Sequence, residues 1–322
     1  MEFKELPYYL SMIQTTTYLA DACLELGNYE DADLLYERVV DEYSRLEKQR
    51  GEVFIDKFVA LRALATLRQK QGRYDHAAKI QDHALEGQKL HLGASHIEML
   101  RTCQQLALAL SKQGKTDEAV QLYRNTMQDQ EWVVGRKHSD TLRTGRNLAI
   151  ALVKLGQYDE AELLFERVIS GYQEKPGSDH PITLATQHNL AELLGKPDRY
   201  DAAVALFRVV LERMIDLFGS EHILTLETRS HLCMAGARQE QYGITNEHHD
   251  DAIRLLENTQ GADHPTTMEA VQGKACLLLR RRRGSLCHEA RRPLKQGLAA
   301  RCRILAPDHP HRIKIRGLLE AL

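Results

Sequence analysis

Histidine carries the most chemical reach in this chain, and its spacing is regular. His96, His138, His180, His222 and His264 follow one another in steps of 42 residues, and His309 comes 45 later. An imidazole ligates metals and moves protons near neutral pH. The period itself excludes one shared metal, because equivalent positions in stacked helical pairs stand on the order of 10 Å apart, whereas a zinc ligand lies about 2.1 Å from its ion. A loop residue that packs and hydrogen-bonds at each joint is the simpler role. Glu247-His248-His249-Asp250-Asp251 offers denser ligands, but the pattern fixes no partner residues around it. His288-Glu289 lacks the second histidine of a zincin helix, and neither a phosphate-binding glycine loop nor a G-x-S-x-G elbow occurs. The expectation is a protein that is not an enzyme, with no catalytic residues, no metal and no cofactor; an uncharacterised enzyme is the weakest alternative.

The elements that hold these histidines repeat with them. Leu106, Leu148, Leu190 and Leu232 keep the same step, as do Thr102, Thr144, Thr186 and Thr228. Ala107, Ala149, Ala191 and Cys233 put small side chains where two helices can approach to about 8–10 Å. Gly27, Gly72, Gly114 and Gly156 end the first helix of each pair, with Asp198 in that place once. A second helix opens its buried stripe at Ala32, Ala77, Ala119, Ala161 and Ala203 and extends it through Tyr123, Phe165 and Phe207. In Gly177-Ser178-Asp179-His180-Pro181, capping residues precede a proline suited to a first helical turn. Each period therefore reads helix, tight turn, helix, short loop, and a fixed period of this length marks one unit copied along a stack.

The expected fold is all-α, a right-handed α-solenoid of about seven helical hairpins filling residues 1–306. The hairpins are expected at 7–50, 51–92, 93–134, 135–176, 177–218, 219–260 and a degenerate 261–306, with a C-terminal capping helix over 307–322. The sixth is expected to carry an insertion at 243–249 that lengthens a turn. Formal charge is −2, which gives no general case for nucleic acid or anionic membranes. The first eleven residues lack a basic stretch leading into an apolar one, and no run is long enough to span a bilayer. Six cysteines without C-x-x-C spacing read as reduced core thiols. The expected location is the cytoplasm, with the nucleus as the second choice because Arg280 to Arg283 resemble a nuclear address.

The segments "GSDHPITLATQHNLAELL" and "RNLAIALVKLGQYDEAELLFERVI" resemble the tetratricopeptide repeat in its 42-residue, kinesin light chain-like form. That resemblance covers nearly the whole chain and implies an array that binds peptide segments of other proteins along its concave, first-helix face. Gln105, Arg143, Arg146, Asn147, His188, Asn189 and His231 fall in the groove-facing slots. The family's asparagines in this slot hold the backbone of an extended peptide, a role carried to Asn147 and Asn189; bridging of adjacent helices is the alternative. Lys70, Lys112, Lys154, Lys196 and Arg238 form a second ladder, and with Arg62, Arg101, Arg143 and Arg146 would make part of that face positive. The expected partner is a protein, engaged through a short acidic peptide. A light chain's heptad region does not precede repeat one, so a kinesin heavy chain is not expected. Ser285, in Arg-Arg-Gly-Ser-Leu, resembles a substrate of basophilic kinases. The functional expectation is an interaction scaffold or adaptor, with a regulatory accessory subunit that wraps an enzyme or transcription factor as the alternative.

Overall fold

Apolar stripes at helical spacing, broken by glycines, give twelve α-helices and no strand among the described residues. In this computed structural model those residues are 6–261, apart from 94, 196–198 and 239–241, together with 267, 270 and 271. In chain order they are α1 (Leu6–Glu25), α2 (Tyr29–Arg50), α3 (Ile55–Lys70), α4 (Tyr74–His91), α5 (Ile97–Lys112), α6 (Thr116–Val133), α7 (Ser139–Lys154), α8 (Tyr158–Glu174), α9 (Pro181–Leu194), α10 (Tyr200–Phe218), α11 (Ile223–Arg238) and α12 (Tyr242–Gln260). The chain divides into two compact units, Met1–Gly171 and Tyr172–Leu322. In the first, each helix from α1 to α7 packs on the next, and α1, α3, α5 and α7 also touch in series. In the second, α9, α10, α11 and α12 pack in chain order. The capping helix, and the seventh hairpin apart from residues 261, 267, 270 and 271, lie outside the described residues.

The repeating positions explain the packing. Ala107, Ala149 and Ala191 are wholly buried, and Cys233 takes the same place in α11. Ala32, Ala77, Ala119, Ala161 and Ala203 are wholly buried on the second helices. The periodic threonines are equally buried, and each hydroxyl donates to the carbonyl four residues back: Thr102 to Glu98, Thr144 to Asp140, Thr186 to Ile182 and Thr228 to Leu224, at 2.7–3.0 Å. A threonine is thus apolar toward its neighbours and satisfied within its own helix. At Gly114 the backbone turns left-handed, with φ +88°, so that Lys115 N–H donates to the Leu110 carbonyl at 3.0 Å and closes α5.

The periodic histidines are helix caps. His96 Nδ1 accepts from Glu98 N–H and His138 Nδ1 from Asp140 N–H, each at 3.2 Å; His180 and His222 do the same for Ile182 and Leu224 at 3.3 Å. Each ring satisfies one of the donors that a helix start leaves open. His264 and His309 fall outside the described residues.

The sixth repeat corrects the sequence reading. Residues 243–249 are no inserted turn but the first turns of α12, which begins 42 residues after α10 and, like it, runs for 19 residues. His249 occupies the position of Phe207, and Ala252 and Leu256 occupy those of Val210 and Met214. All three are buried completely, and His249 Nε2 meets the Ala270 carbonyl at 3.0 Å and Ser230 Oγ at 3.2 Å.

Cys103 and Cys233 lie in the core, and burial pushes their thiols up to about 11 and about 12. A raised pKa leaves less of the reactive thiolate. In folded protein at pH 8 both are expected to alkylate about 100-fold or more slowly than in urea, as timed by peptide mass spectrometry; equal rates in the two states would refute the buried placement.

Candidate functional site

In the first unit, α3, α5 and α7 lie side by side and bring together residues scattered over some eighty positions. Arg62 Nη2 stands 3.4 Å from Glu98 Oε2, and Glu98 Oε1 accepts from Arg101 Nη1 at 2.6 Å. Arg101 then clasps Asp140 Oδ2 through Nε at 3.0 Å and Nη2 at 2.9 Å. Asp140 Oδ1 accepts from Arg143 Nη2 at 2.8 Å, and Gln104 Oε1 accepts from Arg143 Nε at 3.1 Å and Nη2 at 2.9 Å. Asp140 and Gln104 are buried, while the arginines remain part exposed. Burial disfavours the Arg101 charge, but the hydrogen bonds it donates to Asp140 and Glu98 outweigh it and hold the guanidinium above its ordinary pKa.

These contacts modify the expected positive strip. Glu98 and Asp140 sit among Arg62, Arg101 and Arg143, so three guanidiniums face two carboxylates. The sequence signal for those acids was present, since each lies in the first turn of its helix, where the dipole also favours it. The lysine steps add to the remaining excess. Lys70 and Lys112 are exposed, and Lys154 Nζ donates to Ser111 Oγ at 3.1 Å. Desolvation, and then repulsion from Lys112, lower the Lys154 pKa, so neighbouring rungs feel one another. Lys196, Ser285, Arg280 to Arg283 and the side chain of Arg238 lie outside the described residues.

Asn147 on α7 lies beside the buried Tyr123 hydroxyl of α6. Burial drives that phenol well above its usual range, and the amide pulls it part of the way back. Gln105 and Arg146 are part exposed on α5 and α7, and the Gln105 carbonyl accepts from Gln69 Nε2 at 3.1 Å.

In the second unit the structure brings His188 of α9 against His231 of α11. His188 Nε2 is 2.9 Å from His231 Nδ1, and His231 Nε2 is 3.5 Å from Glu192 Oε1. On the other side, His188 Nδ1 is 3.0 Å from Thr228 Oγ1. Phe207 meets the His188 ring edge-on at 5.3 Å. One donor atom from each of His188, Glu192 and His231 falls within 4.8 Å of the others. Asn189, beside His188, has its amide nitrogen shielded from solvent, with no acceptor among the described residues. Sequence reasoning placed both histidines in the groove but missed Glu192 and Thr228. Glu192 stands one helical turn from His188, whereas His231 follows it by 43 residues, one more than the period. Of the 247–251 cluster, His249 is buried in the core and Asp251 pairs with Arg254 at 2.7 Å, while the side chains of Glu247 and His248 lie outside the described residues.

The tetratricopeptide repeat profile matches residues 56–131 and 139–216. No curated protein matches the sequence. Among solved structures, a putative kinesin light chain of Podosopora anserina with nearly identical TPR-like repeats is 26% identical, with a TM-score of 0.55 over 63% of this chain and 97% of that one. BtubC (BKLC) from P. vanneervenii is 19% identical, with a TM-score of 0.61 over 74% of this chain and 94% of that one. The Rap conjugation gene regulator of plasmid pLS20, solved in complex with the Phr* peptide, is 16% identical, with a TM-score of 0.65 over 100% of this chain and 79% of that one. The last two likenesses are of fold alone. No helix among the described residues is long and apolar enough to cross a membrane.

Proposed function

This chain is a tetratricopeptide-repeat protein of the kinesin light chain-like type, and on that premise we propose that it is a non-enzymatic scaffold whose first-helix face holds an extended segment of a partner protein. The observation that carries this reading is Asn189. Its shielded amide donor finds no acceptor among the described residues, and leaving such a group unsatisfied costs about 1–3 kcal/mol. Turned toward the groove, the amide meets a backbone carbonyl of a bound segment, which removes that cost whatever the side chains of the segment, because an amide donates and accepts at once. Asn147 offers the same chemistry in the first unit. The partner's segment is acidic, because the guanidiniums outnumber the carboxylates between them and the exposed Lys70 and Lys112 add positive charge.

Affinity capture followed by mass spectrometry, wild type beside Asn189→Ala and Asn147→Ala, tests the reading. Partners held through this face are expected to fall at least about tenfold in the Asn189→Ala lane with helix content unchanged, as expected for one lost buried hydrogen bond. Their retention is expected to weaken steeply between low and high salt. Capture indifferent to both substitutions refutes the groove; capture indifferent to salt refutes the acidic partner alone.

A further inference from the structure

The contacts between α9 and α11 bring two imidazoles and one carboxylate together. His188 Nδ1 is 3.0 Å from Thr228 Oγ1, and His188 Nε2 faces His231 Nδ1 at 2.9 Å. The other nitrogen of His231, Nε2, lies 3.5 Å from the Glu192 carboxylate.

We infer that His188, Glu192 and His231 form a binding site for a borderline divalent transition metal, zinc being the natural occupant. Two imidazoles and one carboxylate are a donor set that zinc accepts, with a fourth tetrahedral position left open. The ligand atoms already converge within 4.8 Å. Two nitrogens on a tetrahedral zinc stand about 3.3 Å apart, close to the 2.9 Å that already separates the nearest nitrogens of the two rings, so a small turn of the His231 ring points one nitrogen at the ion while the other keeps that ring's proton. Thr228 is already in place as an outer partner that orients His188, the arrangement typical of ligating histidines. Phe207, edge-on to His188 at 5.3 Å and tilted against His231 at 6.0 Å, limits how far either ring can rotate. Glu192 is exposed, so the site opens to solvent on the carboxylate side and an ion can enter without unfolding. It stands apart from the periodic histidines, whose Nδ1 atoms are occupied as helix caps.

The test uses the full chain stripped with a chelator, titrated with zinc by calorimetry and with cobalt(II) by ligand-field absorption. One tight site per chain is expected, with a tetrahedral cobalt spectrum lacking thiolate charge transfer. His231→Asn is expected to lower affinity at least about 100-fold, and Thr228→Val about 10- to 100-fold, as for loss of an outer-shell partner. Glu192→Gln, at an exposed position where folding is not at stake, is expected to lower it about 10-fold or more while circular dichroism stays unchanged. Zinc uptake no stronger in wild type than in His188→Asn with His231→Asn means that the pair shares a proton only, and the inference fails. It fails equally if Glu192→Gln and His231→Asn bind zinc as tightly as wild type.

Discussion

Replacing Leu67 by alanine is expected to cost about 3 kcal/mol, and to cost it locally. Leu67 is wholly buried in α3, in one cluster with Ala20 of α1, Ala32 and Tyr36 of α2 and Leu64, and with Ile80 of α4 packed against it. Truncation removes the transfer free energy of the deleted carbons and leaves a cavity, together about 2–5 kcal/mol for a leucine in such a site. Two of the four buried partners are alanines, with nothing to extend into the gap. In a nearest-neighbour stack the loss falls on the joint between the first two hairpins. Hydrogen exchange is therefore expected to accelerate about 100-fold in α1 and α2, since each 1.4 kcal/mol is a factor of ten, while α5 to α7 keep their protection. Uniform acceleration across all helices would reject the nearest-neighbour picture.

Position by position, the small and apolar residues were legible because each has one task. An alanine that returns once per repeat marks a seam, and all five second-helix alanines are wholly buried. The sixth repeat misled for a physical reason. Two core-facing slots on one helix lie seven residues, about two turns, apart, so both present the same face. Ala252 fills the later slot, where α10 has Val210, and resembles the alanine of the earlier one, where α12 has Thr245. Taking Ala252 for that earlier alanine shifts the register by seven and creates an insertion that is not there. Charge pairing was less legible. Arg101 and Asp140 are neither a helical turn nor a whole period apart, and nothing local shows that α5 and α7 bring them within 3.0 Å. The histidine pair escaped for the same reason, since a search at steps of 42 passes over a contact made at 43.

Removing the Asp140 carboxylate is the sharper test of that pairing, because it is expected to move stability and binding in opposite directions. Asp140 is buried and accepts three charge-assisted hydrogen bonds, two from Arg101 and one from Arg143. Breaking a fully buried pair by deleting one member costs about 3–5 kcal/mol, because a charge is left without its partner. Here the guanidiniums left behind are 34% and 41% exposed and can recover part of their hydration, which brings the expected cost of Asp140→Ala to about 2–3 kcal/mol. Chemical denaturation measures it, and Asp140→Asn, which keeps an acceptor at the helix start, is expected to lose less. The same substitution frees Arg101 and Arg143 on the face proposed to meet an acidic segment. A segment steered there by charge is then held more tightly at low salt, and the gain disappears as salt screens it. If Asp140→Ala weakens stability yet leaves capture of an acidic peptide unaltered at every ionic strength, these arginines serve the joint between hairpins alone, and the partner's charge is read elsewhere.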